Sequence, residues 1–444
     1  LSRRHYPKQF LKLRDTSLFQ DTFLRSLLIS EPDEIFVVTN ESHKFLVRGQ
    51  VQELGYELPA SSLLIEPEGK NTLPAICYGM KVIEQTYGKS TVGIFPADHM
   101  LDSDAMEVIR QSEVLAGDFL VTFGIVPTSP NTGYGYIDPG EPAGMGFVVR
   151  EFREKPEPEA AQNYVDSGFL WNSGMFVFDT GLFFEELNRF EPEIWQNFSA
   201  MDVGSMDSVR DIYSSLSSLS VDYGIMEKSS KVAVVKLDYD WNDLGNFNAI
   251  CETFGKDAEE NVVLETEGLL IDSSGNLVSS RSDKLVCMID MEDTVVVDTS
   301  DALLVCPRAS SGKVRDVVRQ LNDKQDERAR FHQTVYRPWG TYTVMDSSPT
   351  FKIKNITVLP GNSLSLQLHH HRSEHWVVVT GMACVQVDKE RFYLRQGEST
   401  FIKAGIKHRL SNPGKLPLEI IEVQLGESVD EDDIVRFDDE YGRK

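Results

Sequence analysis

Four of the chain's nine histidines fall within seven consecutive positions, in the stretch LQLHHHRSEHW at 366–376, with a glutamine before them and a glutamate among them. Imidazole nitrogens and a carboxylate are the donors that hold a divalent metal of intermediate softness. The flanking residues alternate apolar and polar, and alternate side chains of a strand share a face. Gln367, His369 and, on parity alone, His371 therefore point one way, and Leu366, Leu368 and His370 the other. Glu374 lies just past a turn, at the start of the next strand. A lone histidine in such a turn would more simply be polar surface. His370, His371 and His375 are the weaker ligands, suited to packing, to hydrogen bonds behind a metal or to substrate contact, with His371 next in line.

The elements that must position these residues are strands. Beyond Pro338 the segments FKIKNITVL, SLSLQLH, HWVVVTG, ACVQVD, RFYLRQG, STFIKA and LEIIEVQL follow one another with Gly or Pro turns between several of them, which predicts a small sandwich or barrel of the jelly-roll kind. The chain before residue 250 has a different character. Apolar strand candidates (EIFVVTN, TVGIFPAD, DFLVTFGI, VAVVKLD) alternate there with helical patterns over 16–29 and 71–87, which predicts an α/β domain with a mainly parallel sheet. From 258 to 305 helical patterns vanish and strand-like pieces are punctuated by Ser-Gly-Asn and Asp turns, the signature of a small β module. A charged helix over 311–332 follows as a connector.

At 444 residues the chain is too long for one core, and two or three domains are expected. With 69 acidic against 44 basic side chains the net charge is −25, which argues against nucleic acid and anionic membranes as partners. An anionic substrate must then meet a local cluster of cations or a bound metal. The five cysteines are widely spaced, with no C-x-x-C pair, as in a reduced, cytoplasmic protein. No run of about 18 apolar residues marks a membrane span.

The spacing G361-x5-Q367-x-H369-x4-E374-x6-G381 resembles the first metal motif of the cupin superfamily, with glutamine in place of its first histidine. The second motif is similar to G397-x5-K403-x-G405-x2-H408-x3-N412, with Lys403 where the family usually has proline. The two motifs together imply a divalent metal, Zn2+ or another, held by Gln367, His369, Glu374 and His408. The resemblance narrows further. SLSLQLHHHRSEHW, AGIKHRLSNPGKLPLEIIEVQLG and EDDIVRFDDEYGR resemble the C-terminal domain of type II phosphomannose isomerase, the bifunctional enzyme that also carries mannose-1-phosphate guanylyltransferase. YPKQFLKL, EPEGKNTLPAI, PADH, GIVPTSPNTGYGYI, FREKP, LWNSGMFVF, VDYGIMEK and WNDLGNF match its other half, in the family's order.

That resemblance implies three domains: a Rossmann-like nucleotide-sugar pyrophosphorylase domain over 1–257, the β module and connecting helix over 258–335, and a cupin over 336–444. It implies guanylyl transfer from GTP to mannose 1-phosphate, with Asp98 and Asp243 holding Mg2+ and Lys8 and Lys155 contacting phosphates. Glu66 and Asn71 fall in the loop facing the nucleobase, and Gly135, Glu154 and Asn172 around the sugar. For the cupin it implies interconversion of mannose 6-phosphate and fructose 6-phosphate through an enediol, with Arg409 on the phosphate or the enediolate oxygen. Lys403 is a candidate for proton transfer. The family opens with a strand and a GGxGxRLWP loop whose N–H groups cradle the triphosphate, and the sequence in hand begins at the leucine after that proline. Residues 1–444 alone are therefore expected to form little GDP-mannose. Alternatives are a guanylyltransferase with a non-catalytic cupin, or a sugar-phosphate-binding protein without catalysis. A homo-oligomer is compatible with the sequence.

Overall fold

The computed structural model describes residues 2–3, 5–281, 284–299, 301–329 and 332–438. In the N-terminal domain, strand Leu120–Ile125, buried at every position, lies inside a six-stranded sheet. The order is Thr91–Ile94, Leu170–Asp179, Leu120–Ile125, Val232–Leu237, Gly146–Arg153, Tyr136–Ala143. This corrects the expectation of a mainly parallel sheet. Within it only Leu120–Ile125 and Val232–Leu237 run parallel, and the other pairings are antiparallel. Parallel neighbours need a crossover of a dozen or more residues, whereas Tyr136–Ala143 and Gly146–Arg153 are separated by Gly144 and Met145 alone. Strands Val37–Asn40 and Leu63–Glu66 pair in parallel as a separate sheet. Phe36 and Val38 nevertheless pack on the same core as Val92 and Ile94.

Local chemistry sets the helix ends. Ser17 and Gln20 form a capping box, so the first long helix covers Leu18–Ser26 rather than 16–29. Helix Thr72–Tyr87 begins where Asn71 caps it. The connecting helix is Val314–Asp323, shorter than its charged pattern.

In the β module, strands Val262–Leu264, Leu277–Ser280 and Thr294–Asp298 stack in parallel, and Gly268–Ile271 pairs in parallel with Val286–Ile289. Buried asparagines knit one corner: Asn276 Nδ2 donates to Asn261 Oδ1 at 2.9 Å, and the Thr294 N–H to Asn276 Oδ1 at 2.9 Å. Those bonds satisfy the donors and acceptors that such tight corners bury.

The C-terminal domain is a sandwich of six and five strands. One sheet contains Thr334–Arg337, Gly340–Ser347, Phe351–Val358, Leu418–Gly426, Arg372–Thr380 and Ser399–Ile402. The other contains Glu390–Arg395, Met382–Val387, His408–Ser411, Leu366–His369 and Ile434–Asp438. All seven strands read from the sequence are present. Trp339, Trp376, Val385, Leu410 and Ile420 lie in the core between the sheets. Its first strand, Thr334–Arg337, straddles the expected boundary at 335/336.

The domains meet at that strand. Tyr336 lies so close to Gly49 that a Cβ there would sit 2.6 Å from the ring, and its hydroxyl donates to Glu53 Oε1 at 2.8 Å. His332 stacks on Tyr6 with ring centroids 4.4 Å apart. Among the described residues, no helix is long and apolar enough to cross a membrane.

Candidate metal centre and nucleotidyl site

In the cupin, three elements converge. His369 ends its strand, Glu374 lies in Arg372–Thr380, and His408 opens His408–Ser411. One potential ligand atom from each lies within 4.8 Å of the others, and all three side chains are 1% exposed. His369 Nε2 is 3.0 Å from Glu374 Oε1, and His408 Nε2 is 3.4 Å from Glu374 Oε2. Yet both His369 ring nitrogens and His408 Nε2 lack a hydrogen-bond partner. Buried polar atoms are almost always satisfied, so two orphan Nε2 atoms, one from His369 and one from His408, converging on a carboxylate fit a divalent cation. His408 Nδ1 meets the Ile406 carbonyl at 2.9 Å, which turns Nε2 toward the centre.

Glu374 is braced by Gln424 Nε2 at 3.1 Å, Trp376 Nε1 at 3.1 Å and Arg372 Nε at 3.4 Å. Burial pushes its carboxyl up, but contact with His369 and His408 more than reverses this and holds it well below the usual carboxylate range. Gln367 is the cross-strand partner of His408, and its Oε1 accepts from Ser365 Oγ at 3.1 Å. His370, His371 and His375 are exposed, and His371 Nδ1 lies 2.8 Å from Asp433 Oδ1. The runner-up ligand thus faces away. Arg409 follows His408 on the strand, and its Nη2 meets Asp438 Oδ2 at 2.6 Å. Lys403 is exposed.

Sequence reading missed the inward-facing Lys354, Arg372, Glu422 and Gln424, each 5% exposed or less. Strand parity would have found them: in LEIIEVQL the buried residues are Leu418, Ile420, Glu422 and Gln424. Burial, then the adjacent Glu374, pushes the Glu422 carboxyl up to about 8.

In the N-terminal domain, antiparallel pairing of Met100–Leu101 with Trp241–Asn242 brings PADH beside WNDLG. Lys8 bridges them: its Nζ is 2.9 Å from Asp98 Oδ2 and donates to the Asp243 carbonyl. Tyr134 donates to Asp243 Oδ1 at 2.8 Å. Asp98 and Asp243 are hard oxygen donors with Lys8 between their segments, a set that suits magnesium shared with a phosphate.

A second group surrounds Gly135. A Cβ there would collide with Glu154 Oε2, the Asn172 N–H donates to the Gly135 carbonyl at 2.8 Å, and Asn172 Nδ2 to Asp222 Oδ1 at 2.9 Å. Burial, then Asp222, pushes Glu154 up to about 7. Lys155 sits at φ 46°, with Nζ 3.2 Å from Glu154 Oε1. Asp222 and Glu227, which accepts from the Glu154 N–H at 2.9 Å, were not assigned from VDYGIMEK. Glu66 turns inward instead: Oε1 accepts from the Tyr213 hydroxyl at 3.1 Å, and burial raises its pKa to about 7. Asn71 caps the following helix from a left-handed φ of 70°.

The nucleotidyl transferase family matches residues 1–260, the MannoseP isomerase/GMP-like beta-helix domain 266–321, and the mannose-6-phosphate isomerase C-terminal domain 324–439. The xanthan biosynthesis protein XanB of Xanthomonas campestris pv. campestris is 42% identical, aligned over all of this chain and 96% of its own length. A mannose-1-phosphate guanylyltransferase of Klebsiella pneumoniae is 39% identical over all of this chain and 96% of that protein. The crystal structure of mannose-1-phosphate geranyltransferase from Thermus thermophilus superposes with a TM-score of 0.67 at 30% identity, covering 72% of this chain and 94% of that one. Carrying both the transferase body and the braced cupin triad, the chain belongs to the mannose-1-phosphate guanylyltransferase family, nucleotidyl transferases that end in a mannose-6-phosphate isomerase domain.

Proposed function

We propose that the chain supplies GDP-mannose with two sites: the cupin interconverts fructose 6-phosphate and mannose 6-phosphate, and the N-terminal domain transfers guanylyl from GTP to mannose 1-phosphate. The observation that carries the isomerase half is the set of orphan nitrogens of His369 and His408 around Glu374. In our reading His369, Glu374 and His408, with the Gln367 amide, hold a divalent ion, Zn2+ being the natural fit to two imidazoles and a carboxylate. Bound there, it supplies Lewis-acid polarisation of a substrate oxygen. The chain's own residues do the rest. Gln424, Trp376 and Arg372 keep Glu374 oriented, and the two sheets exclude water.

In the transferase, a phosphate oxygen of mannose 1-phosphate attacks the α-phosphorus of GTP and pyrophosphate leaves. Asp98 and Asp243 would hold Mg2+, which neutralises the developing charge. Lys8 and Lys155 bind phosphate oxygens, and Glu154, Asn172 and Asp222 around Gly135 hydrogen-bond the sugar hydroxyls. Glu66 and Asn71 shape the base-facing loop, Glu66 through Tyr213.

Chelation followed by gel filtration tests the reading. Isomerisation of mannose 6-phosphate should disappear and return with added Zn2+ or another single divalent ion. Isomerase activity unchanged after complete metal removal would refute it, and a metal-loaded protein that never isomerises would leave the cupin a non-catalytic domain.

A further inference from the structure

Beside the triad a cavity opens between the two cupin sheets, and four cations line it: Arg337, Lys354, Arg372 and Arg436. They come from four different strands, Thr334–Arg337, Phe351–Val358, Arg372–Thr380 and Ile434–Asp438, so only the fold unites them. Among the described residues, Glu422 is the single acidic side chain on the lining. In a chain of net charge −25 this runs against the average. Lys354 is 5% and Arg372 2% exposed, and cations that far from water are retained only with partners. Neighbours supply them: Lys354 Nζ stands 4.0 Å from Glu422 Oε2 and 4.7 Å from the Tyr342 ring centroid, and Arg372 donates through Nη1 to the Asp430 carbonyl at 2.6 Å and through Nε to Glu374 Oε1 at 3.4 Å. The lining still carries more positive than negative side chains.

Size and position add to charge. The cavity measures about 50 Å³, and a water needs about 10–15 Å³ of such space, so it takes a phosphoryl group rather than a hexose. Gln367 lines it and is the cross-strand partner of His408, while Arg372 lines it and bonds Glu374. Cavity and triad therefore share a wall.

We infer that this cavity seats the phosphoryl group of the sugar phosphate, a phosphomonoester dianion gripped by Arg337, Lys354, Arg372 and Arg436, with the sugar extending toward His369, Glu374 and His408. Guanidinium forks match phosphate oxygens in geometry as well as charge. The identity of the sugar rests on the isomerase reading above; the anion preference rests on the lining. Arg409 then acts as a positioning residue: by pairing with Asp438 it fastens the edge strand that carries Arg436.

The test is calorimetric binding of mannose 6-phosphate and of uncharged mannose to the full chain, alongside isomerase kinetics, for the parent, Arg337→Gln, Arg436→Gln and Lys354→Met. The two arginines are half-buried on edge strands, so their variants keep the fold measurable even if Lys354→Met does not. Each arginine variant should weaken mannose 6-phosphate binding at least tenfold and leave both the bound metal and the weak affinity for mannose unchanged. Unchanged mannose 6-phosphate affinity in both arginine variants overturns the subsite whether or not the parent turns over. A parent that binds through these cations but never isomerises upholds the subsite and sinks the isomerase reading.

Discussion

The cupin triad and the transferase carboxylates are built on opposite plans. His369, Glu374 and His408 are 1% exposed and project from strands into a packed barrel, whereas the Asp98 side chain is 35% and Lys8 29% exposed at the ends of loops. One centre is finished before any ligand arrives. The other is partly exposed, with Lys8 spanning the segments of both aspartates, the arrangement expected where magnesium enters together with substrate phosphates. On the proposed reading, burial is what separates a resident metal in the cupin from one that visits the transferase with its substrate.

Breaking either half should leave the other standing, and these are the largest effects. Glu374→Gln removes the charge that two histidines surround and should lower isomerase activity by about a thousandfold or more, since Lewis-acid stabilisation is worth several kcal/mol and each 1.36 kcal/mol is tenfold in rate. Guanylyl transfer in the same variant, assayed in a chain that also carries the family's GGxGxRLWP segment, should stay within about twofold. Asp243→Asn should do the reverse, which a coupled assay for each activity will read. Parallel loss of both activities in either variant would erase the distinction.

A tier below, Gly135→Ala forces a methyl into Glu154 Oε2. The KM for mannose 1-phosphate should rise roughly tenfold as the Glu154 carboxylate is pushed aside, with GTP affinity unchanged. Arg409→Gln should raise the KM for mannose 6-phosphate several-fold at nearly constant kcat, and Arg409→Lys should restore much of it because a single nitrogen, Nη2, makes both bonds to Asp438. A fall in kcat with constant KM would place Arg409 at the chemistry instead.

An effect on stability rather than on catalysis lies where the regions join. Burial, reinforced by Arg281 and Arg3, lowers the His332 pKa to about 4, below the unfolded value near 6.5. The unfolded chain thus takes up the proton first. The stabilisation is complete above about pH 6.5 and is lost as pH falls toward 4, by up to about 3 kcal/mol. His332→Phe keeps an aromatic ring on Tyr6 and should flatten that part of the unfolding-versus-pH curve, as read by denaturant titration at several pH values. An unaltered slope would show that other groups carry it.

What the sequence reveals follows the same division. The cupin was legible because strand parity puts Gln367 and His369 on one face, with Glu374 after the turn and all seven strands present, although Leu368 between them is buried as well. The same rule, applied to FKIKNITVL and LEIIEVQL, also exposes Lys354 and Glu422, where a charge sits at an inward position. The transferase pairings were less legible. Nothing local in PADH or WNDLG says that Met100 will face Asn242, because that register comes from the sheet around them. The mainly parallel sheet failed for a related reason: the two-residue Gly144–Met145 turn, not the apolar content of its strands, dictates antiparallel pairing there. Arg409 shows the limit of adjacency, since the neighbour of a ligand on a strand faces the other way.

The central claim, a resident metal in a site finished by the fold, is tested most directly by elemental analysis after exhaustive dialysis without nucleotide. The parent and His371→Ala should each retain close to one equivalent of a divalent metal per chain, Asp243→Asn should retain the same, and His408→Ala should retain almost none. Full metal in His408→Ala, or its loss from His371→Ala or Asp243→Asn, would contradict the account.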